Sequence, residues 1–178
     1  FCLSRGLGDV YKRQFKPIPL PFSVADTNID SKADTLIIGK EVFKQFYPDS
    51  AFSSIMGKTK VYTIHPIGLI DKEKEKYLLL LIKENKRKKR LVVLVTNEKN
   101  QFLASKELLN NFEGTEYHRF LSINKEPTFL ISREKMGKAN DMLFTRAGWV
   151  YNDAGFFMVV INDSNEDPSK TAVINPLD

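Results

Sequence analysis

Five consecutive cations, Lys86-Arg87-Lys88-Lys89-Arg90, form the densest charge in the chain. Such a cluster can neutralise phosphates or sulfates, each contact adding salt-sensitive affinity. It lies between two apolar runs, Tyr77 to Ile82 and Leu91 to Val95. A hairpin loop there must face water, and its cations also discourage edge-to-edge association. No glycine-rich or aromatic-interleaved recognition motif accompanies the run, which disfavours nucleic acid. A solvated hairpin is the plain reading; contact with nucleic acid, a phospholipid or a polyanionic glycan is the sharper one.

Two acidic stretches have the beginning of a calcium loop: Asp26, Asn28 and Asp30, and again Asp163, Asn165 and Asp167. An EF-hand loop also needs glycine at its sixth position and a bidentate glutamate at its twelfth. Ser31 and Ile37 stand there in the first stretch, Pro168 and Ile174 in the second. Both therefore read as Asx-rich turns, and no metal site is expected. The two histidines, His65 and His118, carry no neighbouring signature of catalysis. The sequence holds no G-x-S-x-G elbow, H-E-x-x-H helix or phosphate-cradling loop, so no cofactor is implied. Glu113, Glu116 and Asp141 are available for a glycosidase-type carboxylate pair, but that spacing is spatial and nothing selects among them. Trp149 and Tyr151 share one strand face by the two-residue period. They form either a platform for a sugar ring or, with Phe156 and Phe157, a cross-strand core cluster.

The elements that must position these groups are mostly strands. Phe15 to Phe22 alternates apolar residues with three prolines and reads as an extended lead-in or edge segment. Asp26 to Asp34 is a polar loop. Val42, Phe43 and Phe46 suit a short helix within Thr35 to Tyr47, closed by Pro48. A further turn through Met56, capped by Asp49 or Ser50, is stopped by Gly57. From Lys60 the period shortens. Val61 to Pro66, Tyr77 to Ile82, Leu91 to Val95, Gln101 to Ser105, Thr128 to Ser132, Met142 to Thr145, Trp149 to Tyr151 and Phe156 to Ile161 read as strands, with His118 in a polar strand. Tyr77 to Ile82 has no polar face, so it is expected to be buried on both sides. Asn97 to Asn100 and Asn152 to Gly155 supply turn chemistry. The connections are too short for parallel crossovers, so the fold class is mainly β: an antiparallel meander, sandwich or partial propeller with one or two short N-terminal helices.

Residues Ser4 to Gln14, Ser-Arg-Gly-Leu-Gly-Asp-Val-Tyr-Lys-Arg-Gln, resemble the translation of a transposon adapter used in short-read library preparation. That implies a foreign segment over 1–14 and a missing native start, and the mid-phrase ending Asn175-Pro176-Leu177-Asp178 separately reads as a chain that continues. The segment supplies a net two of the formal +5 charge, leaving +3 on 164 residues, an ordinary balance that does not point to a polyanionic partner. It also contains Cys2, the single cysteine. The rest is therefore without a disulfide scaffold, a thiolate metal site or a cysteine nucleophile. No apolar run approaches the roughly 18 residues of a membrane helix.

Three phrases carry a second likeness: Pro17-Ile18-Pro19-Leu20-Pro21-Phe22, His65-Pro66-Ile67-Gly68 and Val173-Ile174-Asn175-Pro176-Leu177-Asp178. Through them, residues 15–178 resemble the uncharacterised secreted or lipid-anchored proteins common in Bacteroidota. That resemblance implies a cell-envelope address and an export signal upstream, and brings no assigned activity. The expected organisation is a non-native segment over 1–14, a lead-in with short helices over 15–58, and an antiparallel β-rich part of the same domain over 59–178. The expected role is non-enzymatic binding of a protein or glycan partner. A glycan-directed hydrolase and a polyanion-binding hairpin are the alternatives.

Overall fold

The computed structural model describes residues 15–44, 47–57, 59, 61–84, 87–113, 116–137 and 140–166. The adapter-like segment, Lys86, Asp167 and the closing phrase lie outside them. Among the described residues, nine strands form two antiparallel sheets. The first is a meander of β2 (Thr63–Asp71), β3 (Glu75–Lys83), β4 (Lys89–Asn97) and β5 (Phe102–Asn110). The second runs β6 (His118–Ile123), β7 (Phe129–Met136), β8 (Met142–Tyr151) and β9 (Phe157–Ser164), with β1 (Phe22–Ala25) paired on the free side of β6. The mainly β, antiparallel class expected from the strand spacing is what the protein adopts, and of the meander, sandwich and partial propeller left open it takes two sheets, with short helices before the first meander.

The apolar runs of β3 and β4 explain the layering. Their register pairs Tyr77 with Val95, Leu79 with Val93 and Leu81 with Leu91 on one face, and Leu78 with Leu94 and Leu80 with Val92 on the other. Both faces need cover, because burying one such side chain stabilises the fold by about 1.5–3 kcal/mol. Leu78, Leu80, Ile82, Val92 and Leu94 pack under Phe15, Ile38 and two short helices, α1 (Lys40–Lys44) and α2 (Asp49–Met56). Leu79, Leu81, Leu91 and Val93 meet Val24, Leu121, Ile123 and Phe129 of the second sheet. The order of layers is helices, four-stranded sheet, five-stranded sheet. Among the described residues no helix is long and apolar enough to cross a membrane.

Several boundaries differ from the sequence reading, each for a local reason. The helix expected within Thr35 to Tyr47 is confined to Lys40–Lys44. Ahead of it, Asp34 Oδ1 accepts the Leu36 N–H and Ile38 bridges to Ile64, which holds this β-branched stretch extended. Residues 45 and 46 are not among those described. The second helix begins at Asp49, with Pro48 rather than Asp49 or Ser50 at its N-cap, and Gly57 closes it at φ +57°. Pro66 does not end its strand. A bulge between Pro66 and Gly68 carries β2 past the missing donor. The Pro-rich lead-in runs beside that bulge, with Leu69 donating to the Lys16 carbonyl and Ile18 to the Leu69 carbonyl, both at 2.9 Å. Gly68 permits the approach, since a Cβ there would stand 2.4 Å from Ile18 Cγ1. The polar loop after β1 is a 3-10 helix over Asp26–Lys32. Met142 to Thr145 and Trp149 to Tyr151 belong to the single strand β8, whose Arg-Ala-Gly centre masks its alternation. β5 continues past Ser105 to Asn110 through charged residues that hide a strand in sequence.

Candidate functional site

The two sheets do not close evenly. Cross-strand ladders on the inner face of the second sheet change character along the strands. One ladder holds Phe129 opposite Trp149, the next Leu121, Ile131 and Ala147, and the last Arg119, Arg133 and Thr145. Phe129 and Leu121 of the apolar ladders pack against the first sheet, while Trp149, Ile131 and Ala147 at their β7–β8 side and the whole of the last ladder border an opening. A cleft of about 240 Å³ opens there, between β5 and the β6–β8 surface.

Arg119 and Arg133 are directly paired across β6 and β7, an arrangement of like charges that is destabilising by itself. Arg119 is only 5% exposed. Its Nη1 donates to Asn110 Oδ1 at 2.6 Å, but its buried Nε meets no acceptor among the described residues. Burial and the neighbouring Arg133 charge lower its proton affinity, against the opposing pull of Glu113, Asp26 and Glu107. A guanidinium does not deprotonate in a protein, so the direction reports a buried cation that is under-compensated. Arg133 enters none of the ion pairs among the described residues.

Asn110 organises the floor. Its amide nitrogen donates to both Glu107 and Glu113, and its oxygen also caps the Glu113 N–H at 3.1 Å. Glu107 is held from the other side by Arg90, whose Nη1 lies 2.6 Å from Oε2. On the wall, Lys106 Nζ sits 3.3 Å from the centroid of the Trp149 ring, a cation–π contact. Burial depresses the Lys106 ammonium, with Glu107 opposing. Lys106, Arg119, Arg133, Glu107 and Glu113 therefore share one cleft with the only tryptophan of the chain.

The residues singled out from sequence fall in several places. Trp149 lines the cleft. Tyr151 turns the same way but joins an aromatic cluster, edge-on to Tyr77 at 6.5 Å and to Phe157 at 5.6 Å. Phe156 is exposed. In the basic run, Lys89 is paired with Asp30, and Arg90 with Glu84 and Glu107. Lys88 lies 5.4 Å from the centre of the Phe112 ring, and the Arg87 carbonyl accepts from Asn111. All four described cations of the run thus make contacts within the protein, Lys89 and Arg90 with carboxylates. Asp26 accepts the Arg119 backbone N–H, Asn28 accepts from Ala25, and Asp30 takes Lys83 and Lys89, so the first acidic stretch serves as a strut. Asn165 ties β9 to Phe144 and Met142, and Asp163 is exposed on β9. Among the described residues no group of three or more metal-ligating side chains converges. His65 is buried with Nε2 3.0 Å from Thr63 Oγ1, and His118 is exposed on the other sheet. Of the three carboxylates named, only Glu113 reaches the cleft.

The sequence reading missed Arg119, Arg133, Lys106 and Asn110. A signal existed for the arginines. Arg119 has the parity of Leu121 and Ile123, and Arg133 that of Phe129 and Ile131, so each continues an inward-facing series with a charge.

Fold and cleft together describe a two-sheet antiparallel β domain with a helical cover and a cationic inter-sheet pocket. No family model, curated protein or solved structure matches the chain.

Proposed function

We propose that this protein is a non-catalytic binding domain that holds part of a glycan or protein partner in the cleft between its sheets. The observation that carries the reading is the buried Arg119, unmet at Nε and facing Arg133 across the strands at a pocket that also presents an indole. Evolution rarely leaves a buried cation under-compensated without use, because an unpaired buried charge costs several kcal/mol. The carboxylates favour binding over hydrolysis. A glycosidase needs two acids flanking the scissile bond, about 5–9.5 Å apart. Glu107 and Glu113 instead converge on one amide nitrogen, and Glu107 is further clamped by Arg90. The cell-envelope address belongs to the same proposal and rests on the resemblance of residues 15–178 alone.

Amide and indole chemical shifts of the isotope-labelled chain, followed against panels of oligosaccharides and peptides, test the reading. Shifts confined to Lys106 to Asn110, Arg133 and Trp149 are expected. Shifts confined to Arg87 to Arg90 and Phe112 would instead favour the hairpin as the contact surface and contradict the cleft.

A further inference from the structure

The chemical class of the ligand can be read from what the cleft lacks and what it offers. Among the lining side chains Lys106, Arg119 and Arg133 outnumber Glu107 and Glu113 by one positive charge; of the adjoining groups Arg90 and Glu84 cancel, and Asp26 draws on Arg119 from behind. A monoanion is therefore the most negative charge the lining can answer, and a phosphate dianion would overshoot it. Two cross-strand guanidiniums suit a carboxylate, whose two oxygens can each accept a charge-assisted hydrogen bond. The remaining surface is mixed. Glu113 and Thr145 can accept or exchange hydrogen bonds with hydroxyl groups, while Ile131, Ala147 and the indole edge offer apolar area. A volume of about 240 Å³ accommodates one small unit, below the roughly 300–1,000 Å³ of sites for drug-sized ligands. The acceptors would repel a second acid of an acidic peptide but welcome the several hydroxyl donors of a sugar.

We propose that the cleft recognises a carboxylated sugar unit, its carboxylate shared by Arg119 and Arg133 and its hydroxyls turned to Glu113 and Thr145. This rests on the reading of the cleft as the binding site, and deepens it.

The experiment uses the full chain and its single tryptophan as reporter. Methyl glucuronide and methyl galacturonide are titrated beside the matching methyl glucoside and galactoside, which carry a neutral C6 hydroxymethyl group in place of the carboxylate. At least one uronide is expected to perturb Trp149 fluorescence and to bind about tenfold or more tightly than its neutral partner. Arg133→Gln should abolish that difference, and Arg133→Lys should restore part of it. Because Arg133 makes none of the fold's ion pairs among the described residues, both variants should keep the wild-type circular dichroism. Equal binding of neutral and acidic sugars, or a preference untouched by Arg133→Gln, overturns the carboxylate assignment while leaving the cleft as the binding site. Tighter binding of inorganic phosphate or a glutamate-containing tripeptide overturns the sugar assignment. Trp149 and the cleft amides unmoved by every probe overturn both readings.

Discussion

Arg90 and Arg119 carry the same group into the interior with opposite results. Burial disfavours both cations, but at Arg90 the carboxylates of Glu84 and Glu107, each 2.6 Å away, more than offset it and raise the proton affinity. At Arg119 the direct side-chain partner is the neutral Asn110, and the largest effect of a neighbouring charge comes from another arginine. The first is a structural clamp; the second is the anchor of the cleft. Two tyrosines test the account of the core at the same scale. Burial pushes Tyr47 up to about 12, the Ser105 hydrogen bond opposing, and pushes Tyr77 to about 12 with help from Glu75 and Tyr151. The ordinary phenol value is about 10, so folding favours the neutral form of each. Their contribution is fully present below about pH 10 and is lost as pH rises through about 12. Phenolate absorbance should therefore show Tyr47 and Tyr77 titrating latest of the six tyrosines, with Tyr62 and Tyr151 also raised by burial, and the urea midpoint falling only above about pH 10. All six titrating together near 10 in the folded protein would contradict the burial of both rings.

Among the elements, β3 carries the architecture because it has no solvent face. Leu79 and Leu80 are both fully buried, yet they belong to different cores, one facing the second sheet and one facing the helices. Leu79→Ala and Leu80→Ala should each cost about 2–5 kcal/mol in denaturant unfolding. A mild effect at either position would mean that its face lacks a covering layer. This two-sided burial was legible in the sequence, since Tyr77 to Ile82 interrupts alternation with an unbroken apolar run. The Asn-rich turns were legible as well: Asn100 takes φ +61° after β4, and Gly155 takes φ +87° between β8 and β9. Tertiary contacts decided the rest. Ile38 is drawn to the β2 edge rather than into a helix, and Pro66 passes through a bulge that only the neighbouring strand and lead-in make possible. The cleft was half legible. Trp149 stood out by type, but Lys106 and Asn110 come into it only because β5 lies across from β6 and β7, a pairing of layers that local pattern does not encode.

At the scale of the molecule, the formal charge of +5 says little about function, because several of the described cations are paired with carboxylates. What distinguishes the protein is the place where uncompensated charge is concentrated: the open end of the sandwich, around its one indole. Low-dielectric walls focus such a field and draw counter-ions into the cleft. The central claim, that this cleft is an anion-attracting pocket, can be measured before any ligand is known, by quenching Trp149 fluorescence with iodide and with caesium at matched ionic strength. The account predicts an iodide-to-caesium ratio of quenching constants above that of free N-acetyltryptophanamide in the same solutions, and that Arg133→Gln lowers it toward that reference. A wild-type ratio at or below the free-indole reference would contradict it.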